Sequence, residues 1–181
     1  MQFIDLKTQY LRIENDVKSS INRVLEHGQY IMGPEVFELE KELATYVGVN
    51  HCISCSSGTD ALLMSLMALD VGPGHAVFTT PFTFVATAEV ISLVGATPIF
   101  VDIDSRTYNI DSQKLGIEVK RISEEGNLIP KAIIPVDLFG LPADYSSIQT
   151  IANEYNLFVI EDAAQGFGGS INGKKSGSFG D

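Results

Sequence analysis

The sequence predicts an α/β protein, a three-layer sandwich around a mostly parallel, mixed sheet. Three observations predict it. From His51 onward, short apolar runs alternate with helical stretches, as in successive strand–helix–strand units. Ile133-Ile134 and Phe158-Val159-Ile160 are apolar without alternation, as strands covered on both faces are. The chain has 181 residues, 45% hydrophobic and 19% charged, enough for one domain with a sizeable core and too few for two ordinary ones.

Ile13, Val17, Ile21, Val24 and Leu25 recur at a 3.6-residue period and predict a helix over 10–27, with Gly28 as its C-terminal cap. Val36, Leu39, Leu43 and Tyr46 place a second helix over 34–46, with Pro34 in its first turn. The glycine-bounded loop Gly28-Gln29-Tyr30-Ile31-Met32-Gly33 joins them. Strands are then predicted over 51–54, 76–79, 98–101, 132–136 and 157–160. Helices over 59–69, 85–94, 112–123 and 145–155 lie between them. Asn172-Gly173 predicts a hairpin over 170–175. The chain ends in Gly177-Ser178-Phe179-Gly180-Asp181 with no helix to close a domain, so it reads as part of a longer protein.

The formal net charge of −11 argues against nucleic acid and anionic membrane surfaces as partners. The longest apolar region, 84–101, is broken by Glu89, Gly95 and Pro98 and reads as helix-turn-strand, with no membrane span. Met1-Gln2-Phe3-Ile4-Asp5 lacks the basic start and apolar run of a signal peptide. Cys52 and Cys55 have a redox or half-metal spacing. On a strand, however, positions three apart face opposite sides, so two buried reduced thiols and a cytoplasmic location are expected.

Three constellations carry possible chemistry. Ser54-Cys55-Ser56-Ser57-Gly58-Thr59 is a small polar turn opening a helix. Free amides at a helix N-terminus bind phosphate, and Gly58 lets an anion approach the backbone. The alternative is a plain N-cap. The pattern matches neither a dinucleotide fingerprint nor a Walker loop. Thr79-Thr80-Pro81-Phe82-Thr83-Phe84 puts aromatics at a strand end, for a flat ligand or for the core. Finally, Glu161-Asp162-Ala163-Ala164-Gln165 follows a buried strand at its carboxyl end, where open α/β sheets put their ligands. A carboxylate there would keep a pyridine nitrogen protonated, and Gln165 would hydrogen-bond a ring hydroxyl. Asp162 also suits a helix cap or a magnesium site with Asp102, Asp104 and Asp137. Together the three are the parts that pyridoxal phosphate needs.

These motifs, from Phe3-Ile4-Asp5-Leu6 to Gly177-Ser178-Phe179-Gly180-Asp181, resemble the DegT/DnrJ/StrS family of nucleotide-sugar aminotransferases. The match includes Gly28–Pro34, Ser57–Leu62, Thr80–Thr87, Asp102-Ile103-Asp104, Pro135–Gly140 and Glu161–Gln165. The resemblance implies an aspartate-aminotransferase-like (type I) large domain. Residues 1–181 would then be N-terminal helices plus part of the cofactor domain, without the small C-terminal domain. It implies pyridoxal phosphate as cofactor, with Ser57, Gly58 and Thr59 at its phosphate. Phe84 and Ala164 would flank the ring, Asp162 would meet its nitrogen and Gln165 its hydroxyl. Gln29 and Tyr30 would lie near the substrate and the boundary of a homodimer.

The implied reaction moves an amino group, from glutamate, to a keto group on a nucleotide-linked sugar, in amino-sugar and surface-glycan (O-antigen) biosynthesis. The family's Schiff-base lysine follows the Gly180-Asp181 motif, which places it beyond this chain. Lys174 and Lys175 precede that motif and are not assigned the role, so the fragment by itself is expected to be inactive. Three alternatives stay open: a sugar dehydratase with histidine at the lysine position, a non-catalytic regulatory or dimerisation module, and a magnesium-dependent phosphate enzyme.

Overall fold

The computed structural model describes residues 3–181. Two helices lead: α1 over Leu6–His27 and α2 over Pro34–Val47. Helix α1 begins four residues before the apolar stripe predicts. Asp5 caps it, its carboxylate accepting from the Thr8 amide at 3.0 Å. Gly28 and Gly48 end the two helices in the left-handed conformation, as the first position was expected to.

The core is a four-stranded parallel sheet in the order β2-β1-β3-β4. Its strands are β1 (His75–Thr79), β2 (Thr97–Phe100), β3 (Ile129–Ile133) and β4 (Phe158–Val159). Helices α3 (Gly58–Ala68) and α4 (Ala86–Leu93) cover one face. Helices α5 (Ser112–Glu125) and α6 (Tyr145–Tyr155) cover the other. Alternation along the strands divides the core accordingly. Val77, Ala132, Ile134 and Ile160 pack with Leu66, Val90 and Ile91 on the first face. Ala76, Phe78, Ile133 and Val159 pack with Leu115, Val119 and Ile148 on the second. This is the predicted three-layer architecture. A separate antiparallel hairpin, β5 (Ser170–Ile171) with β6 (Lys174–Lys175), turns at Asn172-Gly173 as the sequence implies.

Two strands differ from expectation. Residues 51–54 form no strand; the Ser54 amide and hydroxyl both bond to Glu40 at 2.7 Å. A ladder needs a neighbour, and β4 is the edge of the sheet. A cleft of about 690 Å³ lies there, lined by Gly48–His51 on one side and by Val159–Glu161, Gly177, Ser178, Gly180 and Asp181 on another. The expectation for the cysteines fails with the strand: Cys52 is half-buried, and Cys55 is exposed, its thiol 3.2 Å from the Ser57 carbonyl. The second difference is β3, which starts at Ile129 and stops at Ile133. Pro135 has no amide to continue the ladder, and Pro130 is accommodated by a register shift against Ala76/Val77.

Candidate active site

The carboxyl ends of β1, β3 and β4 converge on Asp162. Its backbone is locked from both sides: its amide donates to the Pro135 carbonyl at 2.9 Å and its carbonyl accepts from the Asp137 amide at 3.0 Å. The residue is 7% exposed. Its Oδ2 accepts from the Thr87 hydroxyl at 2.8 Å, and among the described residues Oδ1 accepts only from the Ala164 amide, at 3.3 Å. An ionised carboxylate has about four acceptor positions, so Asp162 retains capacity for a further donor. Ala164 and Gln165, directly after it, are exposed, and Phe84, on the turn before Thr87, is 70% exposed. Phe84 is therefore not core. Its carbonyl accepts from the Thr87 amide at 3.2 Å, which ties it to the same helix start that holds Asp162. Gln165 accepts from the Phe139 amide through Oε1 at 2.9 Å, and its Nε2 donates to no group among the described residues. Phe139 makes this contact from φ +56°, a left-handed conformation uncommon for such a residue.

Ser57 caps α3, its hydroxyl accepting from the Asp60 amide at 3.1 Å. The plain-cap reading is therefore correct as far as it goes. The Gly58 and Thr59 amides find no acceptor among the described residues. A Cβ on Gly58 would meet nothing within 4 Å, so the backbone is open to a ligand. The Asp60 carboxylate, which would repel an anion, is turned onto the Ser56 and Ser57 hydroxyls. These features fit a phosphate: first-turn amides without partners, open backbone and hydroxyls close by. The fit extends to a pyridine ring, through the spare acceptor capacity of Asp162 and the exposed faces of Phe84 and Ala164.

Gln29 and Tyr30 lie elsewhere in the chain, on the exposed loop after α1. The Gln29 amide donates to His27 at 3.0 Å, and neither residue hydrogen-bonds to the Asp162 group. The two hairpin lysines are also occupied away from it. Lys175 donates to the Tyr46 carbonyl at 2.5 Å, and Lys174 lies 5.0 Å over Phe179.

Behind Asp162 stands a carboxylate pair, Asp137 and Glu161; the sequence offered Asp137 only as a magnesium ligand and gave no sign that Ser176 joins the two. Asp137, fully buried, accepts from the Ala143 amide at 3.1 Å, from the Tyr145 hydroxyl at 2.7 Å and from the Ser176 hydroxyl. Glu161 accepts from the Gly177 and Phe179 amides at 2.5 and 2.7 Å and from Ser176 at 3.1 Å. Burial, with the Asp137 charge adding to it, raises the Glu161 pKa, and the two amides oppose the rise. Burial and the Asp137 charge push the Tyr145 hydroxyl far above its usual range. Gly166 is required here: a Cβ would collide with the Ser176 hydroxyl and stand 2.8 Å from the Asp137 carboxylate. Asp137 and Asp162 thus direct their carboxylates to different partners. Among the described residues, no three His, Cys, Asp or Glu side chains come together in a metal-binding group. No helix among them is long and apolar enough to cross a membrane.

The chain is similar to known proteins over nearly its whole length. It is 54% identical over 178 residues to a Pseudomonas aeruginosa UDP-2-acetamido-2-deoxy-3-oxo-D-glucuronate aminotransferase, covering 97% of this chain and 47% of that one. A crystal structure of a DegT DnrJ EryC1 StrS aminotransferase from Brucella abortus superposes with a TM-score of 0.98 at 54% identity, over 99% of this chain and 48% of that one. NtdA from Bacillus subtilis, solved with bound cofactor PMP, superposes with a TM-score of 0.79 at 38% identity, over 90% of this chain and 36% of that one. The chain spans about half the length of the curated relatives it matches. The model of the DegT/DnrJ/EryC1/StrS aminotransferase family matches residues 11–181, and the chain belongs to that family.

Proposed function

We propose that the whole protein transfers an amino group to a keto carbon of a nucleotide-linked sugar, using pyridoxal phosphate. The carrying observation is the buried Asp162 at the carboxyl end of the sheet, with acceptor capacity to spare, exposed Ala164 hydrogen-bonded to it and Thr87 tying it to the turn that bears exposed Phe84. The named activity of the Pseudomonas relative supports the substrate class. When bound, the cofactor supplies an electron sink and carries the amino group between donor and acceptor. Every other part of the work falls to the protein.

Asp162 holds a proton on the ring nitrogen by its negative charge. Phe84 and Ala164 flank the ring, and Gln165 donates from Nε2 to its hydroxyl. Ser57, Gly58 and Thr59 hold the phosphate at the start of α3. Residues 1–181 supply the N-terminal helices and part of the cofactor domain. The small domain and the lysine that anchors the cofactor and moves the proton lie outside them. Gln29 and Tyr30 meet the sugar nucleotide near a homodimer boundary. Glutamate is the donor, and the cytoplasm and surface-glycan synthesis are the setting.

The test is full-length protein assayed with a UDP-linked 3-keto sugar and glutamate, with Asp162→Asn alongside. Loss of a preorganised charge in such a site lowers kcat/KM on the order of 10²–10³-fold. An Asp162→Asn variant as active as the parent would sink the assignment. Borohydride treatment of the loaded protein should fix one cofactor covalently. A bound cofactor that is never fixed points to the dehydratase.

A further inference from the structure

We propose that Thr87 is a positioning residue for Asp162, holding that carboxylate in one orientation. The inference rests on the role given to Asp162 above and adds the part that sets it. Thr87 is the second residue of α4, 1% exposed, and its hydroxyl reaches Asp162 Oδ2 at 2.8 Å across 75 positions of sequence.

Counting protons fixes the direction of the contact. An ionised carboxylate only accepts, so the single Thr87 proton goes to Oδ2. Thr83 Oγ1 lies 3.1 Å from Thr87 Oγ1. With the Thr87 proton already committed, Thr83 must donate there. The chain of bonds therefore runs one way, from Thr83 to Thr87 to Asp162. Were Oδ2 protonated the chain would have to reverse, with Asp162 donating to Thr87 and Thr87 to Thr83, so the direction of the relay follows the charge on Asp162.

Orientation follows from the same contacts. The Asp162 main chain is pinned by Pro135 and Asp137, which leaves only the side-chain torsions free. Thr87 caps Oδ2. Oδ1, with one long bond to Ala164, is the oxygen left for a ligand. Without Thr87 the carboxylate could rotate and carry Oδ1 away from the ligand's side.

The test uses the full-length protein. Its first readout is the dissociation constant of pyridoxamine phosphate, measured without turnover. Its second is the pH titration of the bound cofactor's absorbance. Thr87→Val keeps the shape and removes the donor. It should weaken binding about 10- to 100-fold, the worth of a hydrogen bond to a charged group, and move the titration to lower pH. Thr87→Ser should restore both. In an Asp162→Asn background, Thr87→Val should add almost nothing, because the two act through one contact.

Losses that simply add across the two sites would mean a packing role and overturn the proposal. Weak binding by Asp162→Asn with parental binding by Thr87→Val would also overturn it, and would leave the Asp162 assignment standing. Parental binding by both variants would remove that assignment itself. Should Thr87→Val fail to fold, Thr83→Val decides. It should weaken binding a few-fold in the same direction, and no change would rule the relay out.

Discussion

Helices α1 and α5 carry the same kind of amphipathic pattern and have opposite fates. In α5, Leu115, Val119 and Ile122 are buried against the sheet. In α1, Ile13, Ile21 and Leu25 repeat at the same period, yet no residue of the helix is buried. Periodicity specifies that a helix forms and which face is apolar. It does not specify what covers that face. Helix α5 finds β1 and β3, whereas in the α1 stripe only Val17 and Val24 are half-buried and Ile13, Ile21 and Leu25 stay exposed among the described residues. A homodimer, as proposed above, would supply a cover.

The comparison can be broken by substitution in the full-length protein. Phe78, fully buried in β1, should be the most costly of the positions compared: Phe78→Ala should lose about 3–5 kcal/mol by urea unfolding, from lost burial and the cavity left behind. Ile21→Ala on α1 is the contrasting variant. If a second copy covers the stripe, its cost should grow with protein concentration, since association stabilises only by mass action. A loss independent of concentration would place the cover within the same chain. No loss at any concentration would leave the α1 stripe bare and remove this support for a dimer.

The same contrast explains what was legible in the sequence. The sheet, its covering helices and Asp162 were readable because each rests on local pattern: an apolar run, a turn, a carboxylate directly after a strand. Residues 51–54 were readable as apolar but form no strand, because a ladder depends on a neighbour and β4 does not reach them. Thr87 and Ser176 were missed for a related reason. Their partners, Asp162 and the Asp137–Glu161 pair, lie 75, 39 and 15 positions away, and no local pattern joins them. One signal was available for Thr87: a hydroxyl among Ala86, Val90 and Ile91 on the buried face of a short helix needs a partner.

Glu161 sharpens the comparison on the buried side. Its raised pKa means that folding favours the protonated form. The stability it contributes is therefore complete below its ordinary 4.5 and is lost as pH climbs through the higher folded value. Glu161→Gln imitates the protonated side chain and cannot titrate. Relative to that variant, the parent should lose about 1.4 kcal/mol for each unit by which the pKa is raised, between acid and neutral pH. Urea unfolding at a series of pH values measures this difference. A constant difference across the series would show that the ionised carboxylate is not disfavoured there.

Ser57 is the smallest case and lies on the exposed side. Its hydroxyl accepts from the Asp60 amide and gives its proton to the Asp60 carboxylate, both at 3.1 Å. A cap alone predicts that Ser57→Ala costs about 1 kcal/mol, equally with and without cofactor. A phosphate at the start of α3 would draw that proton away from Asp60, so the loss should be larger in the loaded protein. Asp60→Asn separates the two effects. It keeps a side chain for Ser56 and Ser57 and removes a charge that repels the phosphate. Binding of pyridoxamine phosphate should then tighten a few-fold. Unchanged binding in both variants would confine Ser57 to capping and put the phosphate elsewhere.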